Sequence, residues 1–451
     1  MKLAKLSLAA IMIGSLASSV CAADTLADAF KNGKVSGELK AWYLSQDFET
    51  TATYQGKGAI DIPIVGVNLN YITDSFNGFR LGFTTQTSAN PGISEDAKNS
   101  AVYQKEEYVG GTVLSEAYVA YKMRNTELKV GRQFIATPLV SGSGTRFTRE
   151  SFQVVTLANT DLPQTTIWAA WIDKFQGRTS AVEGYAPGDP ASFENRAVFI
   201  GSGAGAPTST ATPFDDAYSV FVTNKSINNL TLKAQYVMAN DVWQSATRNG
   251  DLGMYYTEAN YVLPMSGFKL GFDALYRGSY VSSATKGFED LNIEGTYAGI
   301  RASISELAGF GFSAAAGKTS LETVVIGIGN GPTTYTTIIM AGSTPLVLGN
   351  TDSYLFSATY DFSNIGLTGL SSLLQYGIIK QGEYTTGNVV QGANDHKQFA
   401  GALTYAVPAV KGLTTYVEYI TDTTKYTHPT TSTKNTEKEN GSLWFRAGYK
   451  F

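Results

Sequence analysis

The closing segment constrains the fold most. Leu443, Phe445, Ala447, Tyr449 and Phe451 share one parity, and Trp444, Arg446, Gly448 and Lys450 the other. A repeat of two puts large apolar groups on one face of an extended strand and polar or small groups on the other. Similar alternation recurs along the chain in segments of about ten residues, the length a tilted strand needs to cross a bilayer. After its first residues the chain contains no stretch apolar enough for a transmembrane helix. A membrane-spanning chain without such helices must close its strands into a barrel, because an open sheet edge would leave backbone groups unpaired in lipid. A soluble β-sandwich is also rich in aromatics, but it does not explain strands that are polar on one face throughout.

The other end says where the chain goes. Met1-Lys2-Leu3-Ala4-Lys5 is a positive opening, Leu6 to Ala17 is apolar, and Val20 and Ala22 stand at the two small-residue positions of a cleavage site. Residues 1–22 therefore read as a secretory signal peptide and 23–451 as the mature barrel. The apolar run is too short for a membrane anchor, which needs about 20 residues. Cys21 is the only cysteine. Ser18 and Val20, three positions and one position before it, are not the residues of a lipidation site. The mature chain then has no thiol, which suits export through an oxidising periplasm. Removing 1–22 takes away Lys2 and Lys5 and no acid, so the net charge moves from −4 to −6. No basic block marks a nucleic-acid partner.

The connections alternate in length. Short turns rich in Gly, Asn, Asp, Ser and Pro fall at Thr73–Gly78, Arg124–Thr126, Asn159–Gln164, Asn224–Asn229, Leu263–Gly267, Glu306–Gly309, Asp361–Gly369 and Val407–Gly412. Longer polar segments lie near 47–59, 89–111, 136–150, 176–213, 241–251, 281–292, 320–350, 381–396 and 423–440. Short periplasmic turns and long extracellular loops are the habit of exported barrels. This rhythm predicts an all-β fold, a transmembrane antiparallel β-barrel of about 18 strands. Leaving out the two weakest strands, near 151–158 and 214–223, gives a count of 16. A barrel of either size is wide enough to hold an aqueous channel, so the bore is expected to be hollow. Aromatic residues in or beside the strands, many near strand ends (Trp42, Tyr71, Phe79, Tyr121, Tyr261, Phe272 and Tyr405 among them), suit interfacial girdles.

One segment carries a family resemblance. Glu127-Leu128-Lys129-Val130-Gly131-Arg132-Gln133 is a strand; Thr137-Pro138 follows, then a Ser-Gly-Ser-Gly run and Arg146-Phe147. This pattern resembles the OprD-type outer-membrane porins, with a likeness to the Opr porins and major outer-membrane proteins of Gram-negative bacteria of the Campylobacter group. The Val35–Leu39 opening strand and the terminal Phe451 extend the resemblance over the chain. The resemblance implies passive diffusion of small hydrophilic solutes and ions through a trimeric channel in a bilayer containing lipopolysaccharide. It also implies that the third outer loop, near Ala136–Glu150, folds inward as a constriction, with Arg132, Arg146 and Arg149 near the eyelet. Arg132 shares phase with Leu128, Val130 and Phe134, so it reaches inward only if a bulge reverses the phase or its side chain snorkels at the rim.

Charges on the strands can be placed by parity. A lipid-facing Lys or Arg costs roughly 2–4 kcal/mol at the midplane. Lys40, Arg80, Lys122, Lys129, Lys233, Lys269, Arg277, Arg301 and Arg446 are in phase with the polar face and are expected to line the pore. Glu38, Glu116, Glu127 and Asp273 are the expected acidic partners across it, and opposed charges would set up a transverse field. Catalysis is not expected. His396 and His428 are the only histidines, and neither belongs to a nucleophile or acid–base motif. Two histidines and no mature cysteine do not make a zinc site. The Gly-Ser-Gly-Ala-Gly run at 201–205 lacks the Lys-Ser/Thr of a phosphate loop. Loop carboxylates such as Asp215 and Asp216 could take calcium, but nothing in their spacing indicates it. The alternative to a diffusion channel is a surface adhesin or receptor whose long loops at 176–213 and 320–350 carry the role.

Overall fold

The computed structural model describes residues 23–48, 58–100, 103, 110–180, 190–201, 211–243, 247–386, 389–427 and 436–451. The expected signal peptide, Cys21, His428 and residues 202–205 lie outside the described residues.

Eighteen long strands follow one another around a closed wall. They begin with β1 (Lys34–Phe48), β2 (Gly58–Ile72), β3 (Phe79–Ala89), β4 (Gly111–Met123), β5 (Thr126–Gln133) and β6 (Ser151–Asn159). Next come β7 (Thr165–Gln176), β8 (Ala217–Asn224), β9 (Leu230–Val242), β10 (Gly250–Met265), β11 (Phe268–Ala284) and β12 (Thr296–Leu307). The circuit ends with β13 (Phe310–Thr319), β14 (Thr351–Asp361), β15 (Leu370–Gln381), β16 (Ala393–Ala406), β17 (Leu413–Thr427) and β18 (Thr436–Lys450). Each strand is antiparallel to the next, and β1 pairs with β18 from Glu38↔Lys450 to Phe48↔Asn440, which closes the barrel. The strands β6 and β8, weakest in the sequence, are regular, so the larger of the two expected counts holds.

The parity read at the C-terminus governs the wall. Leu443, Phe445, Tyr449 and Phe451 are exposed on the outside, as are Val65, Val67 and Leu69 on β2 and Phe272 and Tyr276 on β11. In water such a belt could not persist; lipid contact removes the penalty, worth about 1.5–3 kcal/mol for each fully covered large side chain. Both termini and the short turns lie at one end. In the β2–β3 turn Asn77 and Gly78 have φ of 51° and 85°, the left-handed pair of a tight hairpin. A short helix, α1 (Leu26–Lys31), precedes the barrel at that end. Thr25 caps it by accepting the Asp28 amide at 3.1 Å, and the Tyr71 hydroxyl donates to the Phe30 carbonyl.

The bore is not simply hollow. The 320–350 segment, expected as an outer loop, folds inward beside the 134–150 loop. Its run Val324-Val325-Ile326-Gly327-Ile328 is buried throughout. Residues 324–331 form the middle of a small ribbon: the Ile328 amide donates to Leu139 O at 2.8 Å, and the Ile326 amide to Ile200 O at 2.9 Å. Gly327 and Gly329 allow this approach, since a Cβ on either would lie 2.5 Å from Leu139 O or 2.3 Å from Ser141 O. The ribbon packs on apolar side chains that β6–β11 turn inward, including Val154, Ile172, Phe221, Val237, Leu252, Met254 and Leu275. A second cluster, Leu44, Ile62, Ile64, Phe147 and Trp444, packs the 134–150 loop against β1, β2 and β18.

Replacing Ile326 with Asp would bury an unpaired carboxylate in this packing, a cost of several kcal/mol. The expected result is a released 320–350 segment that proteases cut, with increased single-channel conductance and a barrel that still migrates as folded on unheated gels.

Candidate pore and its constriction

Backbone inside a barrel needs hydrogen-bond partners, and inward-facing glutamines supply them. From β9, Gln235 accepts the Leu139 amide and donates to the Thr137 hydroxyl, both at 2.8 Å. From β3, Gln86 accepts the Arg149 amide at 2.9 Å and donates to the Arg149 carbonyl at 2.8 Å. The Lys40 ammonium of β1 donates to the Phe147 carbonyl. The 134–150 loop is thereby held between β9 on one side and β1 and β3 on the other. The second inward loop uses the same device: the Ile339 amide donates to Gln375 of β15 at 2.9 Å.

Glu150 joins the two loops. Fully buried, it accepts the Ser143 and Asn330 amides at 2.9 Å and the Asn330 side-chain amide at 2.5 Å, and lies 3.1 Å from Arg178. On the opposite wall Tyr335 pins the second loop by donating to Glu258 at 2.6 Å. Glu258 also pairs with Lys233 at 2.6 Å and accepts Asn260 at 2.9 Å. Asn260 continues to Asp273, which pairs with Arg301 at 2.7 Å. Burial, with the neighbouring Glu258 carboxylate, raises the Tyr335 phenol well above its ordinary value, so it stays a donor.

Between the loops and the β1–β4 wall lies a cavity of about 1160 Å³. Glu38 and Lys450 border it near the end that carries the termini; Lys40, Glu116, Arg146, Arg149 and Arg178 border it further in. The Arg149 guanidinium sits 4.3 Å from the Phe134 ring, and burial lowers its pKa while Glu116 acts the other way. Arginine stays charged under such a shift. Arg146 stacks 5.2 Å from Trp444, and Arg446 lies 4.6 Å from Trp42 and 4.7 Å from Trp444. Arg446 is also 3.8 Å from the buried carboxylate of Glu418. Glu116 accepts the Phe134 amide at 3.2 Å and the Thr84 hydroxyl at 2.6 Å.

The strand-borne charges singled out by parity point inward, but most are paired rather than ranged in a free ladder. Arg80 pairs with Glu127, Lys269 with Glu306 at 2.6 Å, and Lys129 lies 4.4 Å over Tyr118. Lys122 follows Ala120 on the inner parity near the turn end of β4. Arg277 is buried beneath the second loop, 4.7 Å from the Tyr256 ring, rather than open to the cavity.

Arg132 is elsewhere than expected. The β4–β5 register runs unbroken from Met123↔Thr126 to Ala117↔Arg132, so no bulge in β5 reverses its phase. It faces outward with Leu128 and Val130 at the loop end of the strand, 4.3 Å from the Phe193 ring, donating to Leu114 O at 3.3 Å. The bulge that does occur is across the ladder, at Ser115 of β4. Glu258, beside Tyr256 and Asn260 on β10, and Glu418 on β17 were not among the expected residues, although both stand on the inward parity of their strands. Glu150, Arg178, Tyr335 and Met340 had no such signal, because loop residues carry no strand phase. His396, beside the outer loops, contacts Asp422 at 3.1 Å, and Asp216 accepts from Trp171 at 2.8 Å.

A closed barrel of eighteen strands with an apolar outer belt and charged loops folded into its bore defines a pore-forming outer-membrane protein. The family model for the outer membrane porin, OprD family, matches residues 28–440, and the chain belongs to that family. Among solved structures, Pseudomonas aeruginosa OccK9 (OpdG) is similar at a TM-score of 0.71 and 16% identity, over 94% of this chain and 100% of that one. A BenF-like porin from Pseudomonas fluorescens Pf-5 has a TM-score of 0.71 and 13% identity, over 94% and 100%. P. aeruginosa OccK2 (OpdF), in complex with glucuronate, has a TM-score of 0.67 and 14% identity, over 94% and 99%. No curated protein matches the sequence. The protein is an outer-membrane channel for diffusion of small solutes, in a family and fold of non-enzymatic channels.

Glu150→Ala should uncouple the two loops. Removing one partner of a buried ion pair costs about 3–5 kcal/mol. Open-channel current noise should rise and amide exchange should quicken in 323–331 while the strands stay protected.

Proposed function

We propose that solutes pass along the β1–β4 side of the bore and are selected where Arg146 and Arg149 oppose Glu38 and Glu116. The observation that supports this reading is that these four residues, with Lys40, border a single cavity beneath the two inward loops. Basic groups on the loop and acidic groups on the wall would impose a transverse field, strongest where the bore is narrowest and least hydrated. A small hydrophilic solute carrying a carboxylate would turn that group toward the guanidinium pair. Glucuronate, bound in the OccK2 structure, is a probe of suitable size and charge. The paired charges Arg80–Glu127, Lys233–Glu258 and Arg301–Asp273 then serve chiefly to hold wall and loops in shape.

The same reading includes cleavage of residues 1–22 on export, ion conduction, residence among lipopolysaccharide and assembly as a homotrimer, the last resting on family resemblance. The adhesin alternative draws no support from the 320–350 loop, which turns into the bore rather than outward.

Planar-bilayer recording tests the eyelet. Purified protein should give stepwise conductance with a preference for chloride over potassium in a salt gradient, and added glucuronate should block it transiently. Arg146→Ala with Arg149→Ala should shift the reversal potential toward the cation side and weaken the block. An unchanged reversal potential in the double variant would remove these two residues from the selectivity site.

A further inference from the structure

We propose that Met340 is an oxidation site inside the pore, and that its sulfoxide weakens the eyelet's attraction for anions; the second half rests on the eyelet reading above. Met340 borders the cavity at the turn of the second inward loop. Its sulfur lies 2.9 Å from a guanidinium nitrogen of Arg446 and 3.6 Å from one of Arg146. Its backbone is left-handed, with φ of 59°, a conformation seldom adopted outside glycine unless packing holds it. The other described methionines are placed differently. Met254 is fully buried, and Met123 and Met265 are exposed on the outer wall. Met238 sits on the outward parity of β9.

A polar oxidant such as hydrogen peroxide travels through the aqueous bore, not through lipid. The thioether sulfur uses a lone pair to form the S–O bond as the O–O bond breaks. The proton of the attacking oxygen passes to the departing hydroxide, giving sulfoxide and one water. Guanidinium N–H donors beside the sulfur can hydrogen-bond to the departing oxygen. The sulfide is a weak acceptor, whereas the sulfoxide oxygen is a strong one that carries partial negative charge. Placed between Arg146 and Arg446, it occupies their donors and offsets part of their field.

The test uses the full protein in liposomes, treated with dilute peroxide and followed by peptide mass spectrometry and bilayer recording. Met340 should gain oxygen ahead of the buried Met254, while Met123 and Met265, exposed beside hairpin turns, react independently of the bore. Chloride preference should fall in step and return after methionine sulfoxide reductase. In Met340→Leu, peroxide should leave the reversal potential where that variant began. Oxidation of Met340 no faster than of Met254 would overturn the site. Full oxidation of Met340 without a change in reversal potential would overturn its effect on selectivity. Absence of chloride preference before treatment would count against the eyelet reading instead, and the mass measurement would still judge the oxidation site.

Discussion

Every peptide group brought inside a membrane barrel must find a hydrogen-bond partner, and this requirement shapes the interior. The wall satisfies its own groups by closing β1 on β18. The loops that enter the bore have no such ladder. They are met by Gln86, Gln235 and Gln375, whose side chains present an acceptor and a donor from the inner parity of their strands. Where two loops meet, they pair with each other through the ribbon at 324–331, and Glu150 takes up amides from both.

Packing then divides the lumen. Between β6 and β11 a group of inward side chains is apolar, and the second loop lies on them as on a hydrophobic core. Along β1–β4, beside the Leu44–Ile62–Ile64 cluster, they include Glu38, Lys40, Asn68, Asn70, Thr84, Gln86 and Glu116, which border the cavity. The filled side and the wet side arise from the same period of two, with different residues at the inward positions. Charges near the filled side are compensated by close partners, as in the Lys233–Glu258 and Arg301–Asp273 pairs.

Much of this was legible in the sequence because strand parity is a strict code. One unbroken register decides the direction of every side chain on a strand, which is why Lys40, Arg301 and Arg446 could be placed and why Arg132 was already awkward beside Leu128 and Val130. The turns were equally plain, since Asn77-Gly78 favours one backbone geometry. Loops obey no such period. The inward course of 320–350 is set by contacts with Leu139 and Ile200, far away in the chain. Its only local hints were an apolar run, Val324 to Ile328, too hydrophobic for an exposed loop, and glycines at alternate positions that permit close backbone approach.

The central ribbon also bears on how the molecule is made. Leu139 and Ile328 stand roughly 190 residues apart, so their pairing carries a heavy loop-closure penalty and belongs late in assembly. The first inward loop cannot reach its final bonds until the second has been threaded into a wall that is still incomplete or has only just been sealed. During that interval Leu139, Val140 and Ile326 lack their apolar cover. The protein therefore has two closures between distant parts of the chain, a seam in the wall and a seam within the bore, and a chain that had made only the first would be an inserted barrel with an unfinished interior.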